Sequence, residues 1–251
     1  MYSYIKNYHP EFFDSYRSEK GFGLIDSLKN QNTVLTVKKV EAKNSLYGFD
    51  PPKELLRGDP RAKAYLDGRK IPLDEFYYSE GEVTLNDKIV FLKDYIVIPL
   101  KENDKWYGFY SRAVNAKTFY TYIPEKNTGY KIWNWFNISK KNTLYVFEAI
   151  FNALSTNFSN VIGSMGADIP KERLDELDDP VFCLDNDTKG RETALKYANM
   201  GYKVFIWPDY IKAKDFNDLL KNENWSKDEI TELIKENTLS GLSAVIKLKL
   251  K

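Results

Sequence analysis

The sequence predicts an α/β protein, with a mostly parallel sheet flanked by helices in its C-terminal part and a smaller α+β subdomain before it. Three observations predict this. The chain changes character near residue 141: turn residues and short aromatic or β-branched runs dominate before it, as in antiparallel strands. After it, short apolar runs alternate with amphipathic stretches of helical period, which implies right-handed βαβ crossovers. Finally, 251 residues bury enough surface to fold without disulfide staples, and only one cysteine is present.

Taken in order, residues 1–50 give no assignable unit, apart from a strand-like run at Val34–Val40. The α+β region spans 51–140. It contains a short helix that starts near Pro60, runs through Tyr65 and stops at Gly68. The runs Lys88–Leu92, Tyr95–Pro99, Trp106–Tyr110 and Phe119–Ile123 read as its strands. The α/β domain spans 141–222. Its predicted strands are Leu144–Phe147, Val161–Gly163, Val181–Leu184 and Lys203–Trp207. Its predicted helices are Ala149–Thr156, Pro170–Leu177, Gly190–Met200 (closed by Gly201) and Asp215–Asn222. Residues 223–251 form a helical extension, Ser226–Glu236, with a Ser226/Glu229 capping box. The last stretch, GLSAVIKLKLK, reads either as an edge strand or as a basic tail.

Composition removes several classes. One cysteine (Cys183) and one histidine (His9) cannot build a disulfide framework or a Cys/His zinc site. A hydrolase triad would have to use His9, close to the N-terminus. Cys183, in the run VFCLD, is expected in the core. With 37 basic and 36 acidic residues, no global field demands nucleic acid or membrane. No run approaches the ~18 apolar residues of a membrane span, and no signal-peptide core is present, so a cytoplasmic setting is expected. There is no GxxxxGK[ST] motif, so no fused motor is expected.

The acids fall at strand ends. Glu148 follows TLYVF directly, Asp185 and Asp187 follow VFCL, and Asp215 and Asp218 follow the fourth strand after a short loop. In open α/β sheets, ligands bind at the carboxyl ends of the strands. Clustered carboxylates repel unless a cation neutralises them, and an all-oxygen set suits Mg²⁺ and phosphoryl or nucleotidyl chemistry. Taken singly, Asp187 or Thr188 could simply cap the next helix. The isolated Glu148 among apolar residues is the sharper signal. Upstream, residues 105–141 carry seven basic residues against the single acid Glu125, interleaved with Trp and Tyr, which suits single-stranded nucleic acid.

This combination resembles the Toprim domain, and within it the bacterial- and phage-type DNA primases. YVFEAIFNAL resembles the Glu motif, VFCLDNDTKGRETALKYANMGYKVFIWP the DxD strand with its helix and next strand, and KAKDFNDLL the closing KDxND segment. YIVIPL, KWYGFYSRAV and TYIPEKNTGYKIWNWF resemble the subdomain that precedes Toprim in those primases, and RAKAYLDGRKIPLDEFYY resembles its helical lead-in. The resemblance covers roughly Pro60 to Leu220.

It implies RNA primer synthesis on single-stranded DNA from ribonucleoside triphosphates with Mg²⁺ or Mn²⁺. By position, Glu148, Asp185 and Asp187 would be the catalytic, metal-holding acids, and Asp215 a further ligand. Arg112, Lys117, Lys131 and Lys214 would contact nucleotide or DNA. The pattern departs from the family at Ala149, Asn152 and Asn217, where Gly, Asp and an acid are usual. The neutral Asn152 is expected to weaken the site's outer charge. The lone cysteine leaves no room for the primases' zinc module, so template recognition would need a partner such as a separate replicative helicase. The small size suggests a phage or other mobile element, acting in the host cytoplasm. Two alternatives remain: a Toprim nuclease that cuts DNA, or a non-catalytic relative that binds replication or transcription partners.

Overall fold

The computed structural model describes residues 46–86, 88–166 and 168–250, all within the compact unit Ser45–Lys251. The run 34–40 and His9 lie outside the described residues.

The first part is an antiparallel sheet. Its strands are β1 (Leu56–Arg57), β2 (Tyr77–Ser79), β5 (Tyr95–Glu102), β6 (Lys105–Ala113) and β7 (Phe119–Tyr122), in the spatial order β1-β2-β5-β6-β7. A separate hairpin joins β3 (Glu82–Leu85) to β4 (Lys88–Phe91). The helix α1 (Pro60–Gly68) starts where the sequence places it, because Asp59 accepts the backbone N–H of Arg61 and Pro60 has no N–H to lose. β5 turns into β6 through two residues, and Asn103 takes φ 54°, a conformation asparagine tolerates.

Both faces of this sheet are covered. Val97, Trp106 and Phe109 pack beneath the β3–β4 hairpin, whereas Ile96, Ile98, Tyr107 and Tyr110 face the other way. The interleaved aromatics of residues 105–141 are therefore mostly core. Trp106, Tyr107 and Trp135 are each 1% exposed, not laid out as a strip for bases.

The second part is the predicted parallel sheet. β8 (Thr143–Phe147), β9 (Val161–Gly163), β10 (Asp179–Cys183) and β11 (Lys203–Phe205) pair in parallel, and a short β12 (Thr238–Leu239) adds antiparallel to β11. Side chains alternate across it. Leu144, Val146, Phe182 and Val204 face α3 (Lys171–Leu174), α4 (Thr188–Asn199) and α7 (Gly241–Lys249). Phe147, Val181, Cys183 and Phe205 face α2 (Ile150–Leu154), α5 (Phe216–Asn222) and α6 (Lys227–Glu236). The latter core also takes in Ala62 and Leu66 of α1 and Ile96 and Ile98 of β5, so the two sheets share one hydrophobic core. Cys183 is fully buried there.

The strands β1, β2, β3 and β12 are not in the sequence reading, and two other segments differ from it. GLSAVIKLKLK is neither edge strand nor tail but the helix α7. Ala244 and Leu248, one helical turn apart, are the residues it buries, and the I-K-L-K alternation plays no part. The third predicted helix shortens to Lys171–Leu174, with Pro170 as its cap.

The strand order β12-β11-β10-β8-β9 reverses direction between β8 and β10, since the chain passes from β8 outward to β9 and then back to β10. A crevice at the carboxyl ends of those two strands is where a ligand belongs in such a sheet.

Candidate active site

Glu148 follows β8 and Asp185 follows β10, on either side of that crevice. The loop after β10 is held from several sides. Asn186 donates its backbone N–H to the Lys214 carbonyl (2.7 Å) and its side-chain amide to the Ala213 carbonyl (3.0 Å), which ties the DND loop to the segment leading into α5. Asp187 accepts the Gly190 N–H at 2.8 Å and caps α4, and Asp215 accepts the Asp218 N–H at 2.8 Å and caps α5. Both acids thus do the structural work a bland reading of the motif expects. A Cβ at position 190 would lie 2.0 Å from the Asp185 carbonyl oxygen, so only glycine lets α4 begin so close to the loop. On the other side of the crevice, the turn after β9 donates the Gly166 N–H to the Glu148 carbonyl at 2.8 Å, with Met165 and Gly166 both at positive φ.

Asp185 is the electrostatic centre. Its carboxyl is pushed up to about 7, first by burial, then by the negative charges of Glu148, Asp215 and Asp187, with Lys214 pulling the other way. Asp215 is also raised, chiefly by burial, against the donated N–H of Asp218. Charged groups at the ends of separate strands therefore feel one another across the crevice. Among the described residues, no three Asp, Glu, His or Cys side chains stand close enough to cage a metal ion.

Asp185 and Asp215 open onto a cleft of about 780 Å³. Its opposite wall comes from α1 and from β6 with the loop that follows. Arg69, Arg112, Lys117, Lys214 and Lys221 line it, together with Tyr65 and Tyr110. Arg112 brings a buried Nε that has no hydrogen-bond partner. Glu148 instead lines an adjoining recess of about 150 Å³, beside Ser164, Gly166 and Lys189.

Of the residues picked from the sequence, Asp185, Asp215, Arg112, Lys117 and Lys214 share the cleft. Glu148 and Asp187 do not line it but act on Asp185 through their charge. Lys131 does not line the cleft; it follows the short 3₁₀ turn Glu125–Tyr130. The other cations of that stretch are also engaged elsewhere. Lys140 pairs with Glu176 and lies over the Trp135 ring, Lys141 pairs with Asp178, and Lys105 pairs with Asp50.

Two residues were missed by sequence reasoning or read only as departures. Arg69 stacks against Tyr65 and Phe151 and donates from Nη1 to Asn217 Oδ1 at 2.8 Å. Nothing local in RAKAYLDGRKI marks it, because its hydrogen-bond partner Asn217 is 148 residues away. Asn152 donates Nδ2 to Asp185 Oδ1 at 2.8 Å, so the position where an acid is usual touches the central carboxylate directly.

Comparison with known proteins follows this geometry. No family model matches the chain. The DNA primase of Enterobacteria phage T4 is 27% identical over a 267-residue alignment that covers 98% of this chain and 76% of that protein. The crystal structure of the zinc-binding and RNA polymerase domains of the Aquifex aeolicus primase superposes with a TM-score of 0.55 at 15% identity, over 72% of this chain and 57% of that one. The DnaG primase catalytic domain bound to ssDNA superposes with a TM-score of 0.54 at 16% identity, over 76% of this chain and 75% of that one. These structures share the fold of this chain, while the phage relative is similar in sequence along nearly its whole length. The chain is thus similar in sequence, along nearly its whole length, to a phage DNA primase, and in fold to DNA primase catalytic domains.

Proposed function

We propose that the cleft is where this primase joins ribonucleotides into short RNA primers along single-stranded DNA. One observation carries the reading. Asp185, at the tip of β10, is driven up to about 7 by burial and by neighbouring acids, and it shares one cleft with Arg69, Arg112, Lys117, Lys214 and Lys221.

The chemistry of the donors suits a divalent cation. The donors at the crevice are carboxylate oxygens, and their mutual repulsion is what a hard cation relieves. Glu148, Asp185 and Asp187 would hold Mg²⁺ or Mn²⁺, with Asp215 in support; when bound, such an ion neutralises charge on the phosphates undergoing transfer. The chain's own side chains supply the rest. Arg112, Lys117 and Lys214, joined by Arg69 and Lys221, put positive charge where triphosphate and template phosphates lie, and their work is positioning and electrostatic stabilisation. The Arg112 guanidinium lines the cleft, where its fork of N–H donors suits a phosphate oxygen. Tyr65 gives the same cleft apolar surface for bases. Lys131 has no part in this reading. Feeding template into the cleft would fall to a separate replicative helicase.

The test is a gel assay of the purified chain with single-stranded DNA, labelled ribonucleoside triphosphates and Mg²⁺ or Mn²⁺. Template-dependent oligoribonucleotides are expected. Cleavage of the DNA in the absence of nucleotides, with no RNA product, would favour a Toprim nuclease instead. A chain that binds neither ion and makes no product would be a partner-binding module.

A further inference from the structure

Asn152 lies 2% exposed on α2, and its side-chain amide has two partners of opposite kind. The backbone N–H of Asn217, at the start of α5, can only donate; it reaches Asn152 Oδ1 at 3.2 Å. That fixes which end of the amide is the oxygen. The NH₂ end must then face Asp185, to which it donates at 2.8 Å. Asn217 is itself immobilised. Its Oδ1 accepts from Arg69 Nη1 at 2.8 Å, and its Nδ2 donates to the Arg69 carbonyl and to Ser155 Oγ, each at 3.1 Å. A continuous chain of hydrogen bonds thus runs from the end of α1, through α5 and α2, to the carboxylate at the tip of β10. Every link in it is a neutral amide or a cation.

We propose that Asn152 is a positioning residue for Asp185, locked by its bond to Asn217, and that it is not itself a ligand to the bound cation. The inference rests on the reading of the cleft as a cation-assisted polymerase site. The oxygen end of the Asn152 amide is turned to Asn217 and the NH₂ end to Asp185, so the end beside the carboxylate has no lone pair to offer an ion. An aspartate in its place would still accept from Asn217, but toward Asp185 it would present a second anion where a donor is needed. The neutral residue is therefore the working choice in this chain rather than a loss. Partners that orient a metal-holding carboxylate typically matter about as much to the ion as this contact suggests.

The experiment measures Mn²⁺ binding to the full chain by electron paramagnetic resonance, together with kcat and nucleotide KM for primer synthesis, for wild type, Asn152→Ala and Asn152→Asp. The alanine variant is expected to bind as many Mn²⁺ ions per chain as wild type, with affinity weaker by about tenfold or more. Its kcat should fall while nucleotide KM stays within about twofold. Asn152→Asp keeps the bond to Asn217 and loses only the donor, so its kcat should be no higher than that of Asn152→Ala. An aspartate variant more active than the alanine variant overturns the proposal. So does an alanine variant that loses a bound ion or shows a smaller loss of affinity. If Asn152→Asp does not fold, the alanine variant decides alone. If wild type makes no primer, the polymerase reading fails on its own, and the Mn²⁺ affinities still decide the role of Asn152.

Discussion

Asp185 carries a folded-state cost that depends on pH. Its carboxyl is raised from the ordinary aspartate value to about 7, so the folded chain holds a proton there that the unfolded chain releases near pH 4. For a raised acid, stability is fullest below the unfolded value and is lost as pH rises through the folded one. Without divalent ions, Asp185→Asn should therefore gain stability relative to wild type between about pH 4 and pH 7; denaturant titration in EDTA at several pH values measures this. A stability difference that stays flat across the window would contradict the assigned burial and repulsion. Arg112 makes a separate prediction. If its guanidinium serves a phosphate in the cleft, Arg112→Ala should weaken single-stranded DNA binding and reduce the slope of log affinity against log salt by about one. The acids of the DND loop and Glu148 were legible because strand ends can be read from hydrophobic runs. The role of Asn152 was not legible: as a residue type it signals only the loss of a charge, and its donor role appears when α5 is brought against α2.

Among the elements, the start of α4 is the tightest joint. Position 190 must be glycine because a Cβ would lie 2.0 Å from a backbone oxygen, which cannot move aside as a flexible side chain can. Gly190→Ala should cost about 2 kcal/mol or more in unfolding free energy, and should also impair cation binding by shifting the Asp185–Asp187 loop. Thermal or denaturant unfolding followed by circular dichroism checks the first, and Mn²⁺ titration the second. Elements set by end signals were readable from sequence: Pro60 at the start of α1, Ser226 with Glu229 at α6, Gly201 after α4. The segment that became α7 was not. Its alternating Ile, Lys and Leu match a strand, but it lies against α4, where Ala244 and Leu248 fit as helical neighbours and tertiary packing outweighs the local pattern.

In the whole molecule, the antiparallel and parallel sheets share one core, and this brings the basic wall to the acidic strand ends. The fold class and the order of elements could be read from the sequence because hydrophobic period and turn residues are local. The division of residues 105–141 into core and cleft could not. Both faces of β6 are covered, which turns Trp106, Tyr107 and Phe109 inward, and ion pairs draw Lys105, Lys140 and Lys141 to other acids. The central claim is that side chains from separate strand tips act together on one reaction while a different set holds the nucleic acid. Asp185→Asn tests it most directly, measured in parallel for primer synthesis on single-stranded DNA and for affinity to that DNA. The account predicts primer synthesis reduced by about a hundredfold or more with DNA affinity unchanged or slightly raised, since the variant removes a negative charge from the cleft. Primer synthesis at the wild-type rate would contradict it.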